Sequence, residues 1–195
     1  MSGLALYAAA MDVCDPDLNA HAARVGALAE MIAQRLGWDE ERIDDLKLGA
    51  TIHDVGKIAL RQDVLRKPGP LDPSEIAQVQ THPVEGAWLV AGVRSLVPAL
   101  PYVLFHHERW DGTGYPTRRA GKEIPLEGRL LAIADAFDAM TSSRPYRAAL
   151  TLEAALDEVE RCAGSQFDPE IAEAFLDAWR AGEIAAAPPL VAAAG

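Results

Sequence analysis

Apolar residues recur every three or four positions along most of this 195-residue chain, and no stretch alternates strictly with β-branched residues. That period predicts an all-α domain. Val25, Leu28, Ala29, Ile32 and Leu36 share one helical face, and Gly37 is placed to end it. A second stripe starts near Glu40 and runs through Ile43, Leu46 and Ala50 to His53, with Asp54 and Gly56 just beyond its end. Ile76 and Val79 lead to His82, where Pro83 interrupts the helix, and a further segment covers 84–93. The strongest central helix spans 126–140, with Leu130, Ile133, Ala134 and Phe137 on one face and Asp135 and Asp138 together on a neighbouring one. Two more helices follow at about 152–162 and 170–181.

Punctuation supports these boundaries. Asp15-Pro16, Asp72-Pro73 and Asp168-Pro169 each precede a helical stripe, as an Asp N-cap followed by Pro at the first helical position. Glu75 adds the acid of a capping box to the second pair. The loop at 110–125 carries Gly112, Gly114, Pro116 and Gly121, and loops of that length are often functional. One domain over 1–182 is expected, with a lead-in helix at 1–15 and a flexible Ala- and Pro-rich tail at 183–195.

Composition narrows the class. Half the residues are hydrophobic and 24% are charged, enough to build a core without staples. Eighteen basic against 29 acidic residues leave a net charge of −11, which excludes a protein that coats nucleic acid through a general basic face. A small anion held in a local pocket is still compatible with it. No apolar run reaches the roughly 18 residues of a membrane span, and the start lacks a basic signal region, so a cytoplasmic protein with no membrane contact is expected. Cys14 and Cys162 make no disulfide framework.

The five histidines change the picture most. His21, His53, His82, His106 and His107 fall on or beside apolar stripes and are interleaved with Asp17, Asp54, Glu108 and Asp135. Buried imidazoles and carboxylates must be paired or ligated, and such a mixed set suits Fe, Mn, Zn or Ni. In His53-Asp54 the carboxylate has two oxygens and can bridge two metals while the imidazole binds one. His106-His107 can supply two nitrogens to one site.

These residues sit in segments that resemble the HD-GYP subgroup of the HD superfamily of metal-dependent phosphohydrolases: His21 with Arg24-Val25, HDVGKI at 53–58, HPVEG at 82–86, HHERWDGTGYP at 106–116, IPLEGRLLAIADAFDAMTSSRPYR at 124–147 and GSQFDPEI at 164–171. The resemblance covers about residues 4–180 in order. It implies an HD-domain helical bundle with a GYP loop, and hydrolysis of cyclic di-GMP to pGpG, in some members onward to GMP, by a metal-bridging hydroxide. It also implies a binuclear centre, iron or manganese foremost. His21, His53, Asp54 and Asp135 would hold one ion, and Asp54, His82, His106 and His107 the other. Asp17, one turn before His21, would join where a third ion is present. Asp54 and Lys57 are the implied catalytic residues. Lys57, Asp138, Arg144 and Arg147 are the implied substrate contacts, although Asp138 is equally placed to hold Lys57 or an arginine.

Gly112, Gly114, Tyr115 and Pro116 form the GYP loop, which the resemblance links to ligand approach and to protein partners such as diguanylate cyclase domains. Asp111 is expected to order it. The family usually continues with Gly-Leu, and Arg118-Arg119 stand there instead, which puts the loop's path in question. Two other readings are a catalytically weak module that binds a cyclic dinucleotide, and a phosphohydrolase acting on another nucleotide. The first would be marked by a lost metal ligand, and none is lost.

Overall fold

Helix-forming stripes and their caps produce nine α-helices among the described residues of the computed structural model, which are 17–143 and 148–183, with the side chains of 17 and 18 excluded. They are α1 (Asp17–Arg35), α2 (Glu40–Ile52), α3 (Gln62–Leu65), α4 (Pro73–Val79), α5 (His82–Ala91), α6 (Leu100–Phe105), α7 (Leu126–Thr141), α8 (Leu152–Cys162) and α9 (Pro169–Arg180). Tight 3₁₀ turns occupy Val55–Ala59, Arg94–Ala99 and Gly121–Glu123. The expected lead-in helix at 1–15, Cys14, the Asp15-Pro16 cap, the Asp17 side chain, Arg144, Arg147 and the tail from 184 lie outside the described residues. No helix among the described residues is long and apolar enough to cross a membrane.

The caps act as their chemistry requires. Gly37 takes a φ of +73° after α1, a left-handed turn that glycine adopts without steric cost. Asp72 accepts from the Ser74 and Glu75 amides while Glu75 accepts from the Asp72 amide, a complete capping box. Asp168 accepts from the Glu170 amide and is also ion-paired with Arg129, so the motif acid of GSQFDPEI joins α9 to α7. Near His82 the helix breaks at Gln80-Thr81, and α5 begins two residues earlier than the periodicity indicated. Proline is compatible with a first helical turn, so Pro83 opens α5 instead of merely interrupting its predecessor.

Two hydrophobic clusters form. The larger joins Val25, Ile32, Leu46, Tyr102, Leu130 and Phe175, among others, from α1, α2, α6, α7 and α9. The smaller joins Ile52, Val55, Val90, Leu96, Ala99 and Val103. Each fully buried large aliphatic or aromatic side chain contributes about 1.5–3 kcal/mol. Helices α2 and α6 donate residues to both clusters, and each is capped at its C-terminus by a histidine of the candidate site, His53 and His106. Helix α7 is buried on most sides, which carries Asp135 and Asp138 to the interior.

The turn at Val55–Ala59 meets α5 backbone to backbone. A Cβ on Gly56 would stand 1.9 Å from the His82 carbonyl oxygen and 2.5 Å from the Gly86 amide nitrogen, both immovable without shifting α5. Gly56→Ala is therefore expected to lower stability by about 1–3 kcal/mol, read as a fall in the urea midpoint, and an unchanged midpoint would contradict this packing.

Candidate metal centre

Helix ends build the site. His53 caps α2 and turns Nδ1 to the Ala50 carbonyl at 2.7 Å. His82 begins α5, and its Nδ1 meets the Val79 carbonyl at 2.8 Å. His106 caps α6, with Nδ1 3.0 Å from both the Tyr102 and Val103 carbonyls. In each case a carbonyl three residues back, at a helix end where acceptors lack partners, accepts a hydrogen bond from Nδ1–H and leaves the Nε2 lone pair for the interior. The inward nitrogens converge: His82 Nε2 and His106 Nε2 are 3.3 Å apart.

Asp54 lies in the middle, 2% exposed. Its Oδ1 faces His82 Nε2 at 3.3 Å and His106 Nε2 at 3.9 Å. Its Oδ2 faces His53 Nε2 at 3.5 Å and the Lys57 ammonium at 2.5 Å. The donor atoms fall into two groups, each within 4.8 Å of one another: Asp54, His82, His106 and His107, and His21, His53 and Asp54. Asp135 meets the second group through His21, its Oδ1 3.2 Å from Nε2. Every histidine singled out from the sequence is thus in one cluster of two groups, with Asp54 common to both.

Two buried atoms here, His53 Nε2 and Asp54 Oδ1, have no hydrogen-bond partner within the protein. Buried polar groups of this kind are costly unless something else engages them, and divalent cations match the donors in type and number. The residues therefore fit a metal centre.

Protonation favours ligation at three of the histidines, while His21 in the metal-free protein is tuned the other way by its two carboxylates. Burial lowers the pKa of His53, lowers that of His106 well below its ordinary value, and lowers that of His107 to about 4, so these imidazoles are neutral and able to ligate. Burial alone would raise the Asp54 pKa, but Lys57 and then His53 and His82 hold it well below the usual carboxylate range. Burial likewise opposes a charged His21, yet its hydrogen bonds to Asp135 and Asp138 outweigh this and raise its pKa to about 9.

Asp138 is engaged within the protein. It is 2% exposed, one oxygen accepts from His21 Nδ1 at 2.7 Å, and Arg24 binds both oxygens at 2.5 and 3.0 Å. Of the two roles open to it, holding an arginine is the one its geometry matches, and that arginine is Arg24 instead of one from the RPYR segment. Lys57 stays beside the cluster, partly exposed, on Asp54.

The GYP loop is ordered by two acids. Asp111 accepts from the Thr113 amide at 2.9 Å and from Arg109, as expected. Glu108, 3% exposed, accepts through Oε1 from the Thr117 amide, the Thr117 hydroxyl and the Arg118 amide, a larger part than the sequence reading assigned it. A Cβ on Gly114 would lie 2.4 Å from the Arg109 amide nitrogen, so the loop can return this close only with glycine. Tyr115 then stacks on His107 with ring centroids 4.8 Å apart. His106, His107, Glu108, Tyr115, Asp135 and Gln166 line a cavity of about 160 Å³ beside the cluster. Arg118 holds a φ of +57°, the left-handed region that its glycine counterpart in the family enters freely, and Arg119 lies over Phe105 at 4.8 Å.

Arg24 and Glu108 were not given these roles from the sequence. Arg24 lies one turn after His21 as Asp138 lies one turn after Asp135, and these parallel spacings were the available signal.

Comparison with known proteins agrees with this geometry. The HD domain family model matches residues 8–171. A protein of Thermotoga maritima named cyclic di-GMP phosphodiesterase is 40% identical over 83% of this chain and 45% of its own length. A Vibrio cholerae protein named 3'3'-cGAMP-specific phosphodiesterase 2 is 37% identical over 87% of this chain and 33% of its own. The chain therefore spans less than half the length of these relatives. A crystal structure of a cyclic GMP-AMP-specific phosphodiesterase of Vibrio cholerae superimposes with a TM-score of 0.62 over 82% of this chain and 44% of that one, at 22% identity, and so shares the fold. The helical bundle, the His53-Asp54 pair at its centre and the family match agree that the chain belongs to the HD-domain family, among its HD-GYP members.

Proposed function

We propose that this chain is the hydrolytic domain of a metal-dependent cyclic dinucleotide phosphodiesterase, with cyclic di-GMP as substrate and pGpG as first product. The observation that carries the reading is Asp54, a single buried carboxylate shared by two groups of imidazoles. Two cations would be held by His21, His53, Asp54 and Asp135 and by Asp54, His82, His106 and His107; iron or manganese suits this mixture. When bound, such a pair acidifies water and neutralises charge on the entering and leaving oxygens of a phosphodiester.

The chain's own groups supply the remainder. Water adds to phosphorus, one ring P–O bond breaks, and the departing sugar oxygen gains a proton, giving the linear dinucleotide. Lys57, partly exposed beside Asp54, neutralises a phosphoryl oxygen. Tyr115 and Gln166 wall the adjacent cavity, which offers room next to the reacting phosphate. Arg144 and Arg147 contact the rest of the nucleotide, a third ion would draw on Asp17, and protein partners such as diguanylate cyclase domains would meet the GYP loop. A second reading, hydrolysis of cyclic GMP-AMP, is favoured by the resemblance to the Vibrio cholerae relative named for that substrate.

Purified metal-loaded protein should convert cyclic di-GMP to pGpG faster than it converts cyclic GMP-AMP; the reverse order would favour the second reading. His53→Ala and Asp54→Ala should reduce turnover to the level of buffer alone, and Lys57→Met should lower kcat by about 10²–10³-fold. Turnover by His53→Ala or Asp54→Ala at the parent rate would rule out the metal reading.

Metal-free protein gives an independent prediction. His107 titrates near 4 in the fold against 6.5 when unfolded, so its contribution is full above pH 6.5 and is lost as pH falls toward 4. His21 is raised to about 9, so its contribution is full below pH 6.5 and is lost as pH rises through 9. Urea midpoints measured with chelator at pH 4.5, 6.5 and 9 should peak at the middle value. A midpoint that climbs steadily to pH 9 would contradict the His21 pairing.

A further inference from the structure

The histidines of the cluster are fixed from behind in two different ways. His53, His82 and His106 rest Nδ1 on backbone carbonyls of the helix turn just before them, a support that lasts as long as the helices do. His21 rests Nδ1 on Asp138 Oδ2, a side chain 117 residues away on α7. Asp138 in turn sits in the fork of Arg24, with Nε on Oδ1 at 2.5 Å and Nη2 on Oδ2 at 3.0 Å, and Arg24 Nη2 also reaches Ser142 Oγ at 3.2 Å. His21 and Arg24 lie one turn apart on α1, and Asp135 and Asp138 one turn apart on α7, so the four side chains form a ladder between the helices, in the order Asp135, His21, Asp138, Arg24.

A guanidinium fork sets the plane of a carboxylate as well as its position, and the carboxylate plane sets the tilt of the imidazole bonded to it. We propose that Arg24 is a positioning residue for the half of the centre built on His21 and His53, acting through Asp138, and that this half loses its ion separately when the fork is removed. The half built on His82, His106 and His107 has no such dependence on the fork, because His82 and His106 rest on backbone carbonyls and His107 stacks on Tyr115. The proposal rests on the two-ion reading above and assigns Arg24 no contact with substrate.

The test uses the full chain loaded with Mn(II), with bound metal per chain measured after desalting and the coupling between ions read by electron paramagnetic resonance. The parent should hold two coupled ions. Arg24→Met should keep about one, showing the signal of an isolated Mn(II), with affinity for the lost ion weakened about 10–100-fold. Arg24→Lys, which restores charge without the fork, should fall between them, and His82→Ala should empty the opposite half. Arg24→Met holding both ions at parental affinity, or losing both together, would overturn the proposal while leaving the two-ion reading intact. A parent that holds one ion would defeat that reading and this proposal with it. If Arg24→Met does not fold, Asp138→Asn, which preserves side-chain shape, carries the same test with the same two outcomes.

Discussion

Asp54 brings a negative charge to a place almost closed to water, and an uncompensated ion there would cost several kcal/mol. Its compensation comes from every direction: Lys57 one turn along the chain, His53 beside it, and His82 and His106 across the cluster. Much of the architecture follows from satisfying this one carboxylate. The Val55–Ala59 turn must lie flat against α5 to bring Asp54 and His82 together, which is why Gly56 has no room for a side chain. Even so, Asp54 Oδ1 and His53 Nε2 have charged or polar neighbours but no hydrogen bond within the protein. A buried carboxylate with so many neighbours and one oxygen still without a hydrogen bond fits a cation site.

The imidazoles around it depend on how helices end. The last carbonyls of a helix lack intrahelical donors, and a histidine placed at the following cap can donate Nδ1 to one of them. Hydrogen bonds to such carbonyls orient His53, His82 and His106, satisfy otherwise orphaned acceptors and turn the three Nε2 atoms toward Asp54. The break between α4 and α5 and the shortness of α6 therefore have a use: each creates a helix end at the required place.

Periodicity and punctuation made the helical architecture legible, because α1, α2, α7, α8 and α9 are long enough to show a stripe and are bounded by Asp, Pro or Gly signals. The short helix α3 and the 3₁₀ turn at Arg94–Ala99 were not anticipated; four to six residues carry too little periodicity, and the turn is held by Leu96 and Ala99 in the smaller cluster. That the five histidines and Asp54 come together was legible because the motifs carry all six. Its supports were less so. Asp138 reaching Arg24 across 114 residues, and Glu108 collecting three donors from the returning loop, are tertiary facts with only faint local traces.

The net charge of −11 takes a different meaning beside this geometry. Three of the acids, Asp54, Asp135 and Asp138, are gathered at the centre and each is met there by Lys57, His21 or Arg24. Cations bound by Asp54 and Asp135 would reverse the local sign, since a divalent ion outweighs the carboxylate that holds it. On the proposed reading, the net negative charge would then repel extended polyanions, while the centre would attract one phosphodiester at close range, where the bulk field is screened within about 8–10 Å. Selection for a small cyclic dinucleotide over a nucleic acid strand can thus arise from the contrast between an acidic exterior and a cation-lined interior, without any base contact being required for it.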